Sequence, residues 1–102
     1  MPGYRPIPGR FEVGAVLQHR PRSLSDAAAP AKLLIVGRDE ELGRWLAVDP
    51  DFQVFSVWDS TARLSYVRVA PGSFKARATH LAEGKRLWAR LLRGRKVSAR
   101  TG

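Results

Sequence analysis

Short apolar runs, separated by turn-forming residues, occupy most of the chain between residues 11 and 70. The segment 11–19 alternates apolar and polar residues, which is the period of a half-buried strand. The segment 32–38 is a continuous apolar run rich in branched residues, which is typical of a central strand. The chain is therefore predicted to build a small antiparallel sheet from short strands.

Turn-forming residues mark where the later predicted strands begin and end. An acidic turn at residues 39–43 leads into a strand that ends at a second turn, 49–51. Proline presets the backbone of that second turn, and the aspartates beside it bond their own backbone. The segments 52–58 and 63–70 are predicted to pair as a hairpin.

After residue 73 the apolar residues recur with the period of a helix. At about 100° per residue, one side of a helix collects apolar residues, namely Leu81, Trp88, Leu91 and Leu92. Trp88 is predicted to anchor this side in the core. Gly94 is predicted to end the helix, and Gly84 costs about 1 kcal/mol against alanine, so the helix begins either before or after it. Residues 74–80 are either its first turns or a last short strand.

These elements predict a mainly β fold with one C-terminal helix. Two architectures fit: a small SH3-like antiparallel barrel capped by the helix, and an open α+β sheet plus helix. The order of elements resembles, in architecture alone, small archaeal chromatin proteins and chromo-like domains. The predicted organisation is an irregular arm at 1–10, a single domain at 11–94 and a basic flexible tail at 95–102. The side chains predicted to be buried are Val13, Leu17, Leu34, Val36, Val54, Leu64, Trp88 and Leu91.

Charge is strongly partitioned along the chain. The net charge is +9, and residues 61–102 carry eleven basic side chains and one acidic one. Residues 37–60, in contrast, carry two basic and six acidic side chains. A GC-rich coding sequence raises arginine content but should scatter it, so this asymmetry indicates a polyanionic partner for the C-terminal part.

DNA or RNA is the predicted partner, bound through its phosphate backbone and without readout of bases. Tyr66 lies on the same predicted hairpin but is expected to pack in the core if Leu64 does. The predicted nucleic-acid-binding residues lie on that hairpin and on the C-terminal helix: Arg63, Arg68, Lys75, Arg77, Lys85, Arg86, Arg90, Arg93, Arg95 and Lys96.

The acidic region suggests an alternative function. Its carboxylates must face away from phosphate, and they offer a second surface for a basic protein or a neighbouring copy of the chain. The alternative is a small adaptor or inhibitor that docks on a nucleic-acid-processing enzyme through this surface or through its basic C-terminal face. The predicted partner-binding residues are Asp39, Glu40, Glu41, Asp49 and Asp51.

Catalysis, cofactors and membranes are not predicted. His19 and His80 have no serine and acid arranged as a triad, so both are expected at the surface or at its boundary. There is no cysteine, no phosphate-binding loop and no calcium-loop spacing, which leaves no expected metal, cofactor or small-molecule substrate. No apolar run is long enough to span a bilayer, and residues 1–14 lack the core of a signal peptide, so a cytoplasmic protein is expected.

Overall fold

The computed structural model describes residues 6–20 and 30–101, with side chains described as far as Arg93. In this part, one five-stranded antiparallel sheet is combined with two helices. The strands are β1 (Val16–His19), β2 (Lys32–Asp39), β3 (Arg44–Val48), β4 (Val54–Trp58) and β5 (Tyr66–Val69). The helices are α1 (Asp59–Ser65) and α2 (Arg77–Thr101), and a 3₁₀ turn, Pro71–Ser73, precedes α2.

The sheet is open. Its strands follow the order β4-β3-β2-β1-β5, and β4 and β5, the two edges, do not pair with each other in the described residues. The reason is α1, which joins the two edge strands without a loop and buries Ala62 against the sheet. The predicted barrel is therefore wrong, whereas a mainly β fold with a C-terminal helix, in its open-sheet form, is confirmed.

The first strand is shorter than its alternation predicted. β1 begins at Val16 instead of residue 11, because Gly14 adopts a φ of 95° and turns the chain before it. The amide of Gly14 donates to the carbonyl of Ile35 at 2.8 Å. Val13 lies on the outside of this turn and is 44% exposed, so its predicted burial is wrong.

In the predicted hairpin of 52–58 with 63–70, a helix replaces the turn and the first residues of the second strand. Residues 59–65 form α1, and only residues 66–69 form a strand, which pairs with β1 and not with β4. Leu64 lies on the outer side of α1 and is 61% exposed, whereas Tyr66 is buried. The inference that both are buried together was therefore wrong, because the period in this segment is helical until β5 begins.

The predicted turn at 49–51 is confirmed, and one carboxylate organises it. Oδ1 of Asp49 accepts hydrogen bonds from the amides of Asp51 and Gln53, both at 2.9 Å. Phe52 adopts a φ of 64°, a conformation that is uncommon for a residue other than glycine. Asp49 is buried by this arrangement, so it serves the turn and not an outer surface.

Both faces of the sheet are apolar, which explains the continuous apolar run of β2. One face, which we call the cleft face, carries a buried cluster and is partly covered by α1 and by the segment around Phe11. The opposite face, which we call the helix face, is covered by α2. The buried cluster of the cleft face contains Ala15, Leu17, Leu33, Ile35, Ala47, Val57, Ala62 and Tyr66. The buried cluster of the helix face contains Val16, Leu34, Val36, Leu46, Val48, Val69, Phe74 and Trp88.

α2 approaches the helix face closely at Gly84. A β-carbon at this position would lie 2.7 Å from Cγ1 of Val36 and 3.0 Å from Cγ1 of Val48. The two valine side chains therefore leave no room for a side chain at residue 84. Gly84 is therefore inside α2, and residues 77–80 are its first turn, which decides two alternatives that the sequence left open. One turn later Trp88 is buried, as predicted, and its indole Nε1 donates to the carbonyl of Ala47 at 3.1 Å.

α2 is longer than predicted. It continues through Gly94 to Thr101, so the predicted end at Gly94 is wrong. Its 25 residues span roughly 37 Å at about 1.5 Å per residue. Leu91 is 49% exposed, so its predicted burial is also wrong.

The remaining predictions of burial are confirmed for three side chains. Leu17, Leu34 and Val36 are buried in β1 and β2, and Val54 at the edge of the sheet is half-buried. Half-buried Leu81 and Leu92 pack against the helix face on either side of Trp88. The apolar side of α2 is thus narrower than the helical wheel suggested.

Candidate nucleic-acid interface

The outer side of α2 carries the largest group of predicted basic residues. Lys85, Arg86, Arg90 and Arg93 are all exposed, and we call these four residues the helix patch. Arg86 approaches Glu83 at 3.4 Å, but both side chains are solvent-exposed, so this pair is weak. Arg95 and Lys96 also belong to α2, and their side chains lie outside the described part. Trp88 is buried against the sheet, so the side of the helix that carries the three arginines faces solvent.

Arg77 and Lys75 lie at the other end of α2. The guanidinium of Arg77 donates from Nε and Nη2 to the carbonyl of Gly14, at 3.0 and 2.9 Å. This contact ties the start of α2 to the turn before β1, so Arg77 acts inside the fold. Lys75 is exposed, but it precedes α2, and the first residue of α2, Arg77, is already about 13 Å along the axis from Arg86, given about 1.5 Å per residue.

Arg68 and Arg63 lie on the opposite side of the sheet from α2. Arg68 pairs with Leu17 in β1, which places both on the cleft face. Its guanidinium donates to the carbonyl of Arg10 at 2.8 Å and to the carboxylate of Glu12 at 3.1 Å, so it binds the N-terminal segment. Arg63 is exposed on α1. The structure therefore divides the predicted set between two faces, because Arg68 of β5 and α1 lie on the cleft face, whereas α2 covers the helix face.

The predicted acidic surface is smaller than its composition indicated. The carboxylate of Asp39 accepts a hydrogen bond from Nε of Arg44 at 3.0 Å, and Asp49 is committed to its turn. Glu40 lies 3.6 Å from Nε of Arg38, although it is itself largely exposed. Glu41 and Asp51 are exposed. Within the described residues, no three acidic or histidine side chains come together as a metal-binding group.

The strongest ion pair joins β2 to α1. Nη1 and Nη2 of Arg38 donate to the two carboxylate oxygens of Asp59 at 2.6 and 2.9 Å. The hydrogen bond from Arg38 lowers the pKa of Asp59, and the same bond raises the pKa of Arg38, against a smaller opposing effect of burial. The guanidinium of Arg38 also stacks on the ring of Trp45 at 4.5 Å from its centre. This arrangement holds Trp45 and the first turn of α1 in fixed positions.

A second ion pair stabilises the β2–β3 turn. Burial acts to raise the pKa of Asp39, but the hydrogen bond from Arg44 and the amides of the turn outweigh it, so the pKa is lowered. The guanidinium carbon of Arg44 lies 5.6 Å from the ring centre of Trp88. The carboxylate of Asp39 is thereby kept charged, and its partner Arg44 lies beside Trp88 of α2.

The two histidines differ from each other. His19 is half-buried and makes an edge contact with the ring of Tyr66 at 5.1 Å. His80 is 7% exposed, so its expected surface position is wrong. Its ring stacks on Phe52 at 3.9 Å, and its two nitrogens lie 3.0 Å from the carbonyl of Ala76 and 2.8 Å from that of Pro50. His80 therefore fastens the start of α2 to the β3–β4 turn, which is a structural task.

An open cleft of about 630 Å³ lies on the cleft face, and the sequence did not reveal it. Its walls are formed by Gly9, Arg10, Phe11, Trp45, Asp59 and Arg63. The sequence pattern predicts an arm for Arg10 and strands for Phe11 and Trp45, and it gives no reason for these three residues to meet. One signal was present: a tight acidic turn at 39–43 pairs Arg38 with Trp45 across the β2–β3 hairpin.

Comparison with known proteins leaves the fold and the surface as the basis for function, since no protein-family model, curated protein sequence or solved structure matches this chain. In the described part of the chain, no helix combines the length and the apolar character that crossing a bilayer requires.

Proposed function

We propose that this protein is a non-enzymatic nucleic-acid-binding protein that contacts the phosphate backbone of DNA or RNA through the helix patch. The observation that supports it best is the charge of α2. Four basic side chains are exposed along its described part, and Glu83 is the one acidic residue in the helix. A surface of this kind attracts a polyanion and releases the polyanion's counterions when it binds.

The spacing of the arginines suits a backbone contact. Arg86, Arg90 and Arg93 follow one side of the helix and span roughly 10 Å along its axis, given about 1.5 Å per residue. This is the length of about three base-pair steps of a duplex, at about 3.4 Å per step along one strand. Guanidinium groups bind phosphate oxygens in a bidentate manner, which favours arginine over lysine for this contact.

The contacts of the other predicted residues narrow the proposal to α2. Arg68 and Arg77 donate to backbone carbonyls within the fold, so their guanidinium groups are not offered to a ligand in the same way. Arg63 stands on the other face of the sheet, and Lys75 is remote from the helix patch. Arg95 and Lys96 continue α2 beyond the helix patch and stay in the proposed interface.

The test measures binding of a labelled short DNA or RNA duplex at several salt concentrations. Fluorescence anisotropy of the labelled duplex reports the binding. The variant R90Q/R93Q should weaken binding, and the slope of log affinity against log salt should shrink by about 2, at about 0.9 for each lost phosphate contact. The variant R10Q/R63Q is the matched control, since it removes the same charge from the cleft face and should leave duplex binding nearly unchanged.

The proposal would be contradicted if both variants lost duplex affinity equally, or if neither variant lost duplex affinity. The first would mean that only net charge matters, and the second that the helix patch is not the interface. Wild-type protein that binds neither DNA nor RNA at low salt would favour the alternative of a protein-binding adaptor, whose packed interface should be much less sensitive to salt.

A further inference from the structure

The cleft face carries a second concentration of basic and aromatic side chains, separate from the helix patch. The open cleft of about 630 Å³ is within the usual size range of ligand-binding clefts, roughly 300 to 1,000 Å³. A smaller recess of about 280 Å³ shares Gly9, Phe11 and Arg63 with it and adds Arg20 and Tyr66 to the lining. The two depressions adjoin at these shared residues, between the N-terminal segment and α1.

The electrostatics of this feature favour an anion. Asp59 is the one carboxylate among the lining residues, and both of its oxygens accept hydrogen bonds from Arg38. Arg10 and Arg63 are exposed, and neither side chain makes an ion pair or a hydrogen bond within the described residues. Nε of Arg20 is enclosed and has no hydrogen-bond partner. Within the described residues, Arg10 and Arg63 therefore have no hydrogen-bonded counter-charge, although Arg63 is near enough to Asp59 to lower its pKa. Arg68, which lines the recess, is paired with Glu12.

The same cleft offers aromatic surface next to those cations. Phe11 and Trp45 are half-buried, pack against the core of the cleft face and line the cleft. Trp45 is held by the guanidinium of Arg38, which is itself held by Asp59, so the ring is fixed before any ligand arrives. An aromatic ring beside arginines is the combination that binds an unpaired nucleotide, with the base on the ring and the phosphate on the guanidinium. An acidic peptide would use the arginines alone.

We infer that this cleft is a binding site for single-stranded nucleic acid, in which Phe11 and Trp45 contact unpaired bases and Arg10 and Arg63 contact the neighbouring phosphates. Bases within a duplex are already stacked and cannot enter such a cleft, so the site selects single strands. This goes beyond the proposed function of the helix patch, because the two surfaces lie on opposite faces of the sheet. Each can therefore fail without the other.

The experiment compares two labelled probes by fluorescence anisotropy: a hexamer of thymidine nucleotides, and an abasic hexamer with the same number of phosphates. Wild-type protein should bind the thymidine hexamer about 5- to 150-fold more tightly, as expected for about one stacked base at roughly 1–3 kcal/mol. R10Q/R63Q should weaken the binding of both probes. F11L should weaken only the thymidine hexamer and so remove most of the difference between the probes.

Two controls keep the result specific. F55L removes another half-buried ring from the same face that does not line this cleft, so it should leave both affinities unchanged. Thermal melting of each variant shows that it is folded. Equal affinity of wild type for the two probes would overturn the inference, as would loss of thymidine binding in R90Q/R93Q with full binding in R10Q/R63Q. Displacement of the thymidine hexamer by an acidic peptide as effectively as by unlabelled hexamer would overturn it in favour of a peptide site.

Discussion

Gly84 of α2 lies directly against Val36 of β2, and a β-carbon on the glycine would come within 2.7 Å of the valine's Cγ1. This contact sets the distance between the helix and the sheet. Val36 and Val48, the two valines that face Gly84, are buried in the core of the helix face. They therefore cannot move aside as an exposed side chain would. The glycine that weakens α2 as an isolated helix is the residue that lets the helix dock.

Replacing Gly84 by valine should therefore destabilise the protein. Forcing extra methyl groups into a packed core costs typically 1–3 kcal/mol, and the clash predicts about 3 kcal/mol here, because helix propensity offsets little of it. Ala89→Val is the control, since Ala89 is exposed in the same helix and should cost less than about 1 kcal/mol. Urea unfolding, monitored by circular dichroism, gives the free energy of unfolding of both variants. Equal stability of the two variants would contradict the close approach.

Trp88 should be the largest single contributor to docking of α2. Trp88→Ala should cost on the order of 3–5 kcal/mol, as for other buried aromatic residues. Trp88→Phe retains a ring but leaves the carbonyl of Ala47 without the indole donor, which should cost about 1–3 kcal/mol. Urea unfolding gives both values. If Trp88→Ala costs less than about 1 kcal/mol, the indole is not packed as described.

His80 should matter for stability and not for binding. His80→Ala removes the ring that stacks on Phe52 and its contacts to the carbonyls of Ala76 and Pro50, so a loss of about 1–3 kcal/mol is expected. Binding of duplex, measured below the unfolding transition, should be unchanged. Loss of binding in a fully folded His80→Ala protein would point to a functional histidine and contradict the structural role.

Acid should destabilise the fold through Asp59 and Asp39. Their pKa values are lowered in the folded state, so the unfolded chain takes up protons first as the pH falls. The stability that these carboxylates contribute is complete well above about pH 4, the ordinary pKa of aspartate, and is lost as the pH falls through their folded values. Thermal melting between neutral and acid pH should show this decline. Asp59→Asn and Arg38→Gln should each make it shallower, and an unchanged decline in both would contradict the role of the pair.

The helix patch should be dispensable for stability. Replacing Arg86, Arg90 and Arg93 together by glutamine should change the free energy of unfolding by no more than about 0.5 kcal/mol for each residue. All three are exposed, and among the described side chains only Arg86 has an ion-pair partner. Urea unfolding of the triple variant tests this. A loss well above that range would mean that the arginines hold α2 in place, and the binding experiments would then need more conservative substitutions.

Local pattern was sufficient for the parts of the fold that depend on one segment at a time. The continuous apolar run of β2 predicted a central strand, and Asp49 predicted a turn organised by its own side chain. Trp88 was expected in the core, because a helix next to a sheet buries its apolar side. Local pattern failed at Val13 and Leu64, where a glycine turn and a short helix interrupted an alternation that looked like a strand.

Contacts between distant segments depended on the tertiary structure. The amino-acid sequence by itself determined the short strands, the amphipathic C-terminal helix and the concentration of positive charge after residue 61. Only the packed fold decided that β4 and β5 stay apart, that Arg68 and Arg77 bind carbonyls inside the protein, and that Arg10 and Trp45 line one cleft. The physical reason is that periodicity records which side of an element is apolar, whereas the partner of a charged or aromatic side chain is chosen by segments far along the chain.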